Sequence, residues 1–358
     1  MNVLKGFYLP ELPNPKIPMA FPSGRNKIPQ KGTILAADIG GTKTELALCS
    51  IEDGRICIIK NDHYPTTDHD SFIGAISDFV STESVDIDCA CLGVAGPVDG
   101  DKVHGINFAW EIDAKIIAKE ISISKVLLIN DLQANAYGLP ALDAADFETV
   151  SEGKAEHGNA AILSPGTGLG EAGLYWDGLT YHPFATEGGH CNFGPTDDTD
   201  ISILSYYLGK FGHLSWERLV SGQGIHNIYQ FLRQTSHTEE PEWLTDQFKT
   251  TVPQIIISKA ALEGKDPVCA ETLRLFLKYL SMEAAQLALK TKAVSGIYIG
   301  GGIIPQIIPL IDKEVFHNNF ISNGRMQDML KDIPINIVMN GKTAMMGAAY
   351  YAAMEMPV

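Results

Sequence analysis

"TILAADIGGTKTELALCSIEDGRICIIKN", residues 33–61, decides the architecture. Three short strand-like runs are split first by Gly40-Gly41 and then by Asp53-Gly54. Gly-Gly and Asp-Gly between alternating apolar runs are hairpin signals. The same form returns in "NAAILSPGTGLGEAGLYWDGLTYH", residues 159–182: strand, glycine turn, strand, then an Asp177-Gly178 turn. Helix patterns follow each opening, "SFIGAISDFVST" in the first half and "DISILSYYLGKF", "RLVSGQGIHNIYQFL" and "AETLRLFLKYLSMEAAQLALKTK" in the second. Each half then closes on an apolar strand, a short turn and a helix, in "LLINDLQANAYGL" (127–139) and "SGIYIGGGIIPQIIPLID" (295–312). This is a divergent internal duplication, and it predicts two α/β units facing each other across a cleft, the usual home of a ligand site.

The bulk properties bound the function. The 358 residues suffice for two domains, and 45% hydrophobic with 20% charged residues describes a soluble globular protein. A net charge of −16 argues against nucleic acid or an anionic membrane as the main partner. No apolar run approaches ~20 residues, and the N-terminus lacks a secretory pattern, so a cytoplasmic protein is expected. An anionic ligand such as a nucleotide must then be held by backbone amides and a bound Mg²⁺. The six cysteines contain no C-x-x-C pair and read as buried free thiols. Cys191 stands beside His190, but no second cysteine lies at ligand spacing, so no protein-held metal is expected there. Residues 1–32 carry six prolines and neither a helix nor a strand period, which fits an extended arm or a disordered leader. No motif lies in it, so its removal should leave the catalytic constants within a few-fold.

Two glycine turns carry the next step. Gly168, Gly170 and Gly173 form a G-x-G-x-x-G, but that dinucleotide fingerprint needs a helix directly after the turn. Here "EAGLYWDGLTY" reads as a strand. What remains is a tight hairpin, either a plain turn or one whose bare backbone N–H groups make a phosphate nest. Two such turns opening two duplicated halves, with Thr42, Thr44 and Thr167 at them, favour the nest. Asp38, just before Gly40, reads either as a turn-initiating residue or as an acceptor for Mg²⁺-bound water. In "LLINDLQANAYGLP", Asn130 or Asp131 fits a helix cap, and Asn130-x-x-Gln133 resembles a capping box. On that stretch alone capping is the favoured role for Asp131.

The motifs "DIGGTKTELAL", "GVAGPV", "LLINDLQANAYGLP", "GTGLGEAGL", "EGGHCNFGP", "HLSWERLVSGQG" and "GIYIGGGIIPQ" occur in this order. Together they resemble the bacterial glucokinase family of the hexokinase–actin–Hsp70 superfamily, over roughly Thr33 to Ala353. The related repressor-type sugar kinases carry a cysteine-rich zinc motif after the histidine, where this chain has Cys191 alone.

The resemblance implies an α/β fold of two duplicated actin-like, ribonuclease H-like domains with mixed sheets flanking an interdomain cleft. Its expected divisions are an arm at 1–32, a small domain at 33–141 to which a helix at 342–358 returns, and a large domain at 142–341. It further implies ATP-dependent phosphorylation of glucose to glucose 6-phosphate with ATP and Mg²⁺, and Asp131 as the general base. Asn130, Glu187, His190, Glu217 and Asn107 would hold the sugar, with Trp110 beside Asn107. Asp38, Gly40, Gly41 and Thr42 would meet the outer phosphates, with Gly166, Thr167 and Gly168 opposite, and Gly300, Gly301 and Gly302 would lie by the adenosine. A homodimer is expected. The alternatives are a kinase of another hexose or amino sugar, and a non-catalytic sugar-responsive regulator of the same fold. The arm has no counterpart in the family core, and "NGKTAMMGAAYYAAM" matches the family's closing helix only loosely.

Overall fold

The computed structural model describes residues 7–10, 17–25, 27–80, 85–104, 110–154 and 156–356. The chain divides into two compact units. One holds the described residues up to Phe147, Ala172–Ala185, and Asn340 onward; the other holds Glu148–Glu171 and Thr186–Met339.

The first unit opens with β1 (Phe7–Tyr8), then β2 (Lys31–Ile39), β3 (Lys43–Glu52) and β4 (Arg55–Pro65), with β2/β3 and β3/β4 antiparallel. The turns fall at Gly40–Thr42 and at Asp53-Gly54. Both residues of the second have positive φ, 52° and 75°, as a type I′ hairpin turn requires. After α1 (Phe72–Val80), β5 (Cys89–Val94) joins β2 in parallel, and β9 (Lys125–Asn130) joins β5 in parallel. Between them lie a small antiparallel sheet of β6 (Val98–Asp99), β7 (Lys102–His104) and β8 (Glu111–Asp113), and the helix α2 (Ala114–Glu120). Asp113 caps α2 by accepting from the N–H groups of Lys115 and Ile116. Then α3 (Asp131–Gly138) leaves directly from the end of β9.

The second half runs β10 (Phe147–Ser151), β11 (Ala160–Pro165), β12 (Leu169–Trp176), β13 (Tyr181–Thr186), then α4 (Asp198–Phe211), α5 (Gly222–Ser236), α6 (Glu242–Phe248), α7 (Pro253–Leu262) and α8 (Pro267–Thr291). It finishes with β14 (Gly296–Ile299), α9 (Ile304–Ile307), α10 (Lys313–Ile321), α11 (Gln327–Leu330) and β15 (Ile335–Val338), and α12 (Thr343–Glu355) belongs to the first unit. Where the pattern suggests a helix from Arg218, the structure starts α5 at Gly222. Ser221 is the cause: its side chain accepts from the N–H of Gly224 at 3.0 Å.

The duplication is written in the strand orders. One sheet runs β1-β4-β3-β2-β5-β9, the other β10-β15-β14-β11-β12-β13. Counted from each glycine hairpin, both read third, second, first, fourth, fifth, with one extra edge strand. Parallel pairing within each (β2/β5/β9; β11/β14/β15) gives the mixed sheet. One core forms on the first sheet around Leu35, Leu46, Phe72, Phe79 and Leu92. The other surrounds α8, which is buried on every side from Tyr279 to Ala285.

The described part of the arm is packed along the first unit. β1 pairs antiparallel with β4, and Leu9 is buried. Further on, Met19 bridges Tyr181, Phe21 stacks on Tyr137 of α3 with centroids 5.2 Å apart, and Ser23 donates to Glu355 and Met354 at the end of α12. Buried Leu9, Met19 and Phe21 anchor an otherwise irregular segment. Deleting residues 1–30 is therefore expected to lower stability by about 3 kcal/mol or more, the scale for losing one buried aromatic. Thermal unfolding checks this, and turnover measured well below the transition should stay within a few-fold. An unshifted melting temperature would show that the packing contributes nothing.

Candidate active site

In the first unit the C-terminal ends of β2, β5 and β9 bring Asp38, Asn130 and Asp131 to one edge of the sheet. Ile39 is in register with Val94, and Val94 with Asn130. The cap of α3 is made by Asn130, whose Oδ1 accepts from the N–H of Leu132 (2.9 Å) and of Gln133 (3.4 Å). Gln133 closes the box by accepting from the N–H of Asn130 at 3.3 Å. Asn130 also donates to the carbonyl of Gly96 at 3.2 Å. Asp131 follows as the first helical residue, its Oδ1 3.0 Å from the N–H of Leu132. With capping assigned to Asn130 and Gln133, Asp131 is not required for it.

Asp38 is held in a crowd of negative charge. Burial, then the carboxylates of Asp131 and Glu45, push its carboxyl up to about 7 against the pull of Lys43. Lys43 itself pairs with Glu45 at 3.2 Å. The turn beside it is braced: the N–H of Gly40 donates to the carbonyl of Lys43 (2.9 Å), and Thr66 donates to the carbonyl of Gly40 (2.8 Å). Asp38, Gly40, Gly41 and Thr42 thus share one strand end and turn, and Asp38 and Asp131 act on each other electrostatically.

In the second unit three of the expected sugar residues are brought together. Glu187 begins a short 3-10 turn ending at His190. The imidazole lies between two carboxylates, Nε2 at 3.9 Å from Glu187 and Nδ1 at 3.8 Å from Glu217. All three side chains stay accessible in part, 55% for Glu187, 50% for His190 and 29% for Glu217. Glu217 is not in a helix; it stands in a turn tied by Leu219 N–H to Trp216 (2.9 Å). Long-range bonds place it: its N–H donates to the carbonyl of Gly189 (2.9 Å), and its Oε2 accepts from the N–H of Leu169 (3.0 Å). A Cβ on Gly189 would sit 2.2 Å from the carbonyl oxygen of Leu169, so only glycine allows this approach.

The glycines on the same side of that sheet also cluster. Gly166, Thr167 and Gly168 join β11 to β12, closed by the Gly166 N–H to the carbonyl of Gly168 at 2.8 Å. A strand follows them, so the dinucleotide fingerprint is excluded by the structure as it is by the sequence. Gly300, Gly301 and Gly302 follow the neighbouring β14, and Gly300 donates to Leu163 at 2.8 Å. Gly301 has φ of 88°, and a Cβ there would lie 2.3 Å from the carbonyl oxygen of Pro165, so the two glycine turns touch.

Asn107 lies outside the described residues. Its neighbour Trp110 is a core residue, 6% exposed, donating to the carbonyl of His69 at 2.9 Å. Among the described residues no three His, Cys, Asp or Glu side chains gather as metal ligands, and no helix is long and apolar enough to cross a membrane. Cys191 is exposed and the other five cysteines are buried, all as free thiols. Glu171 is buried against the Glu187–His190 turn and was not singled out from the sequence; an acid inside "LGEAGL", a strand otherwise apolar and glycine-rich, is the signal that marks it.

The profile of the glucokinase family matches residues 35–355. A glucokinase of Nostoc sp. (strain PCC 7120) is 38% identical, with 89% of this chain and 98% of the relative covered. The crystal structure of a glucokinase from an Antarctic psychrotroph superposes with a TM-score of 0.74 at 30% identity, covering 89% of this chain and 98% of that one. A glucokinase of Balamuthia mandrillaris, solved in complex with glucose, shares the fold with a TM-score of 0.76 at 20% identity, over 90% and 94% of the two chains. The match spans both halves of the duplication and every motif of the two carboxylate clusters, and the chain belongs to the glucokinase family.

Proposed function

We infer that this protein is an ATP-dependent kinase that phosphorylates glucose on its 6-hydroxyl. The observation that supports the reading is the division of labour at the head of α3: Asn130 and Gln133 make the capping box, so the Asp131 carboxylate beside it is not needed for that box and is proposed as the base. In the proposed step the sugar 6-oxygen bonds to the γ-phosphorus as the bond from that phosphorus to the β–γ bridging oxygen breaks. The hydroxyl proton passes to the Asp131 carboxylate, and ADP leaves. Phosphoryl transfer is mostly positioning and charge stabilisation, so the base has only to orient and then accept one proton.

Asn130, Glu187, His190 and Glu217 are proposed to hold the sugar hydroxyls, with Asn107 joining them. Two carboxylates around an imidazole supply both acceptors and a donor to a polyol whose buried hydroxyls must all be paired. Gly40, Gly41 and Thr42, with Gly166, Thr167 and Gly168, are proposed to line the phosphate site, the N–H groups of Gly40 and Gly166 bracing the two turns from within, and Gly300, Gly301 and Gly302 are proposed to lie by the adenosine. Mg²⁺ fits the donor set at Asp38, whose crowded carboxylate lacks a sufficient counter-charge and would accept from the ion's water. Bound there, the ion would supply charge neutralisation on the phosphates. We place the enzyme in the cytoplasm, as a homodimer; light scattering distinguishes 38.9 kDa from twice that mass.

Glu187→Gln and Glu217→Gln are each expected to weaken glucose binding by about 1–3 kcal/mol, the scale of a charged hydrogen bond. The affinity for ATP without sugar should stay near wild type. Calorimetric titration of each ligand checks this, and a variant that loses ATP and keeps glucose would remove these residues from the sugar set. A coupled assay across hexoses and phosphate donors tests the specificity, with glucose and ATP expected as the best pair.

A further inference from the structure

Behind the sugar turn lies a second pair of carboxyl groups. Glu171 of β12 is 2% exposed and Glu283 of α8 is fully buried. As carboxylates, both oxygens of Glu171 and Oε2 of Glu283 lack a hydrogen-bond partner, and only Glu283 Oε1 is met, by Lys290 at 3.3 Å. Three orphaned oxygens in one buried place are costly for two anions, because nothing replaces the lost water. Yet the two groups face each other closely enough that a proton on Glu283 makes a hydrogen bond to Glu171. One proton converts two acceptors into a donor and an acceptor. It also balances charge: Glu171 anionic, Glu283 neutral, Lys290 cationic.

This pair is built into the turn that carries Glu187 and His190. A Cβ on Gly188 would sit 1.9 Å from Glu171 Oε2, so that carboxyl packs directly against the turn's backbone. The main chain of Glu171 holds the same turn: its carbonyl accepts from Thr186 Oγ1 (3.2 Å), which in turn accepts from the N–H of Gly188 (3.3 Å).

We propose that Glu171 and Glu283 share one proton in the working enzyme, and that the shared pair is a positioning element for the Glu187–His190 turn. Glu283 donates to Glu171, and the bonded carboxylate sets the height of Gly188. The inference rests on the sugar-binding reading of that turn. Burial, and next the charge of Glu171, push the carboxyl of Glu283 up to about 9 against Lys290, and burial pushes Glu171 up as well. Glu171 and Lys290 are the charged groups that act on Glu283. With its folded value above the unfolded one, the shared proton contributes stability at lower pH, and this is lost as pH rises through about 9. The pair then becomes two unpaired buried anions beneath Gly188.

The test is the pH profile of glucose KM and of kcat in wild type and in Glu283→Gln. The amide is a permanent donor to Glu171. Wild-type KM should be flat to about pH 8.5 and rise at least fivefold by pH 10, with kcat changing less; Glu283→Gln should stay flat. The same rise in both proteins, or none in wild type, overturns the proposal. Absence of any glucose turnover would instead overturn the kinase reading. Should the variant fail to fold, infrared difference spectra of wild type between pH 8 and pH 10 still decide. The C=O band of a buried carboxylic acid should be present at pH 8 and gone at pH 10, and its absence at pH 8 contradicts the shared proton.

Discussion

Asp131→Asn is expected to cut turnover by roughly 10²–10⁴-fold, the usual contribution of a general base. Glucose affinity should change by less than about 1 kcal/mol, since the amide keeps the shape and one acceptor. The geometry makes this a clean substitution. The cap belongs to Asn130 and Gln133, and the contact from the N–H of Leu132 to Oδ1 can be kept by the amide oxygen. The melting temperature should therefore hold while kcat falls. Turnover within tenfold of wild type, a barrier change under about 1.4 kcal/mol, would return Asp131 to a structural role at the head of its helix.

Gly347→Ala is expected to have the largest effect on the fold. A Cβ at Gly347 would lie 1.8 Å from the carbonyl oxygen of Ala134 and 2.6 Å from the backbone nitrogen of Gly138. On the facing side, a Cβ at Gly138 would lie 2.0 Å from the carbonyl oxygen of Thr343. The axes of α3 and α12 thus meet through bare backbone, and neither atom is the end of a flexible side chain. Forcing them apart should cost about 3 kcal/mol or more, the upper range for overpacking. Because α3 begins at Asp131, activity should suffer in the protein that remains folded. Thermal unfolding and specific activity together check this, and an unchanged melting temperature would mean that the helix pair adjusts freely.

The segment "NGKTAMMGAAYYAAM" forms the start and body of α12. Its run of small residues lets α12 press against α3, a requirement of close packing that an apolar count alone does not express. The hairpins were legible for the opposite reason: Gly40-Gly41, Asp53-Gly54 and Asp177-Gly178 carry their turn chemistry locally, and the structure turns at each of them. The two carboxylate clusters were legible as motifs, while their geometry was not. Glu217 is placed by Leu169 and Gly189, each far from it in sequence, and no local pattern reports such bonds. The β6–β8 sheet escaped because strands of two or three residues hold no period. The arm showed only prolines, since its partners, Tyr181 and Glu355, lie far along the chain. Asp131 was the reverse case. Its local stretch favoured a cap, and the structure gives that work to its neighbour.

The most direct measurement follows phosphorus by ³¹P NMR as the purified protein meets ATP, Mg²⁺ and either glucose or 6-deoxyglucose. With glucose, the γ-phosphate signal should disappear as glucose 6-phosphate and ADP grow in equal amounts. With 6-deoxyglucose, which lacks only the accepting hydroxyl, no sugar phosphate should form. A phosphate ester on 6-deoxyglucose, or loss of the γ-phosphate to inorganic phosphate alone when glucose is present, would contradict transfer to the 6-hydroxyl.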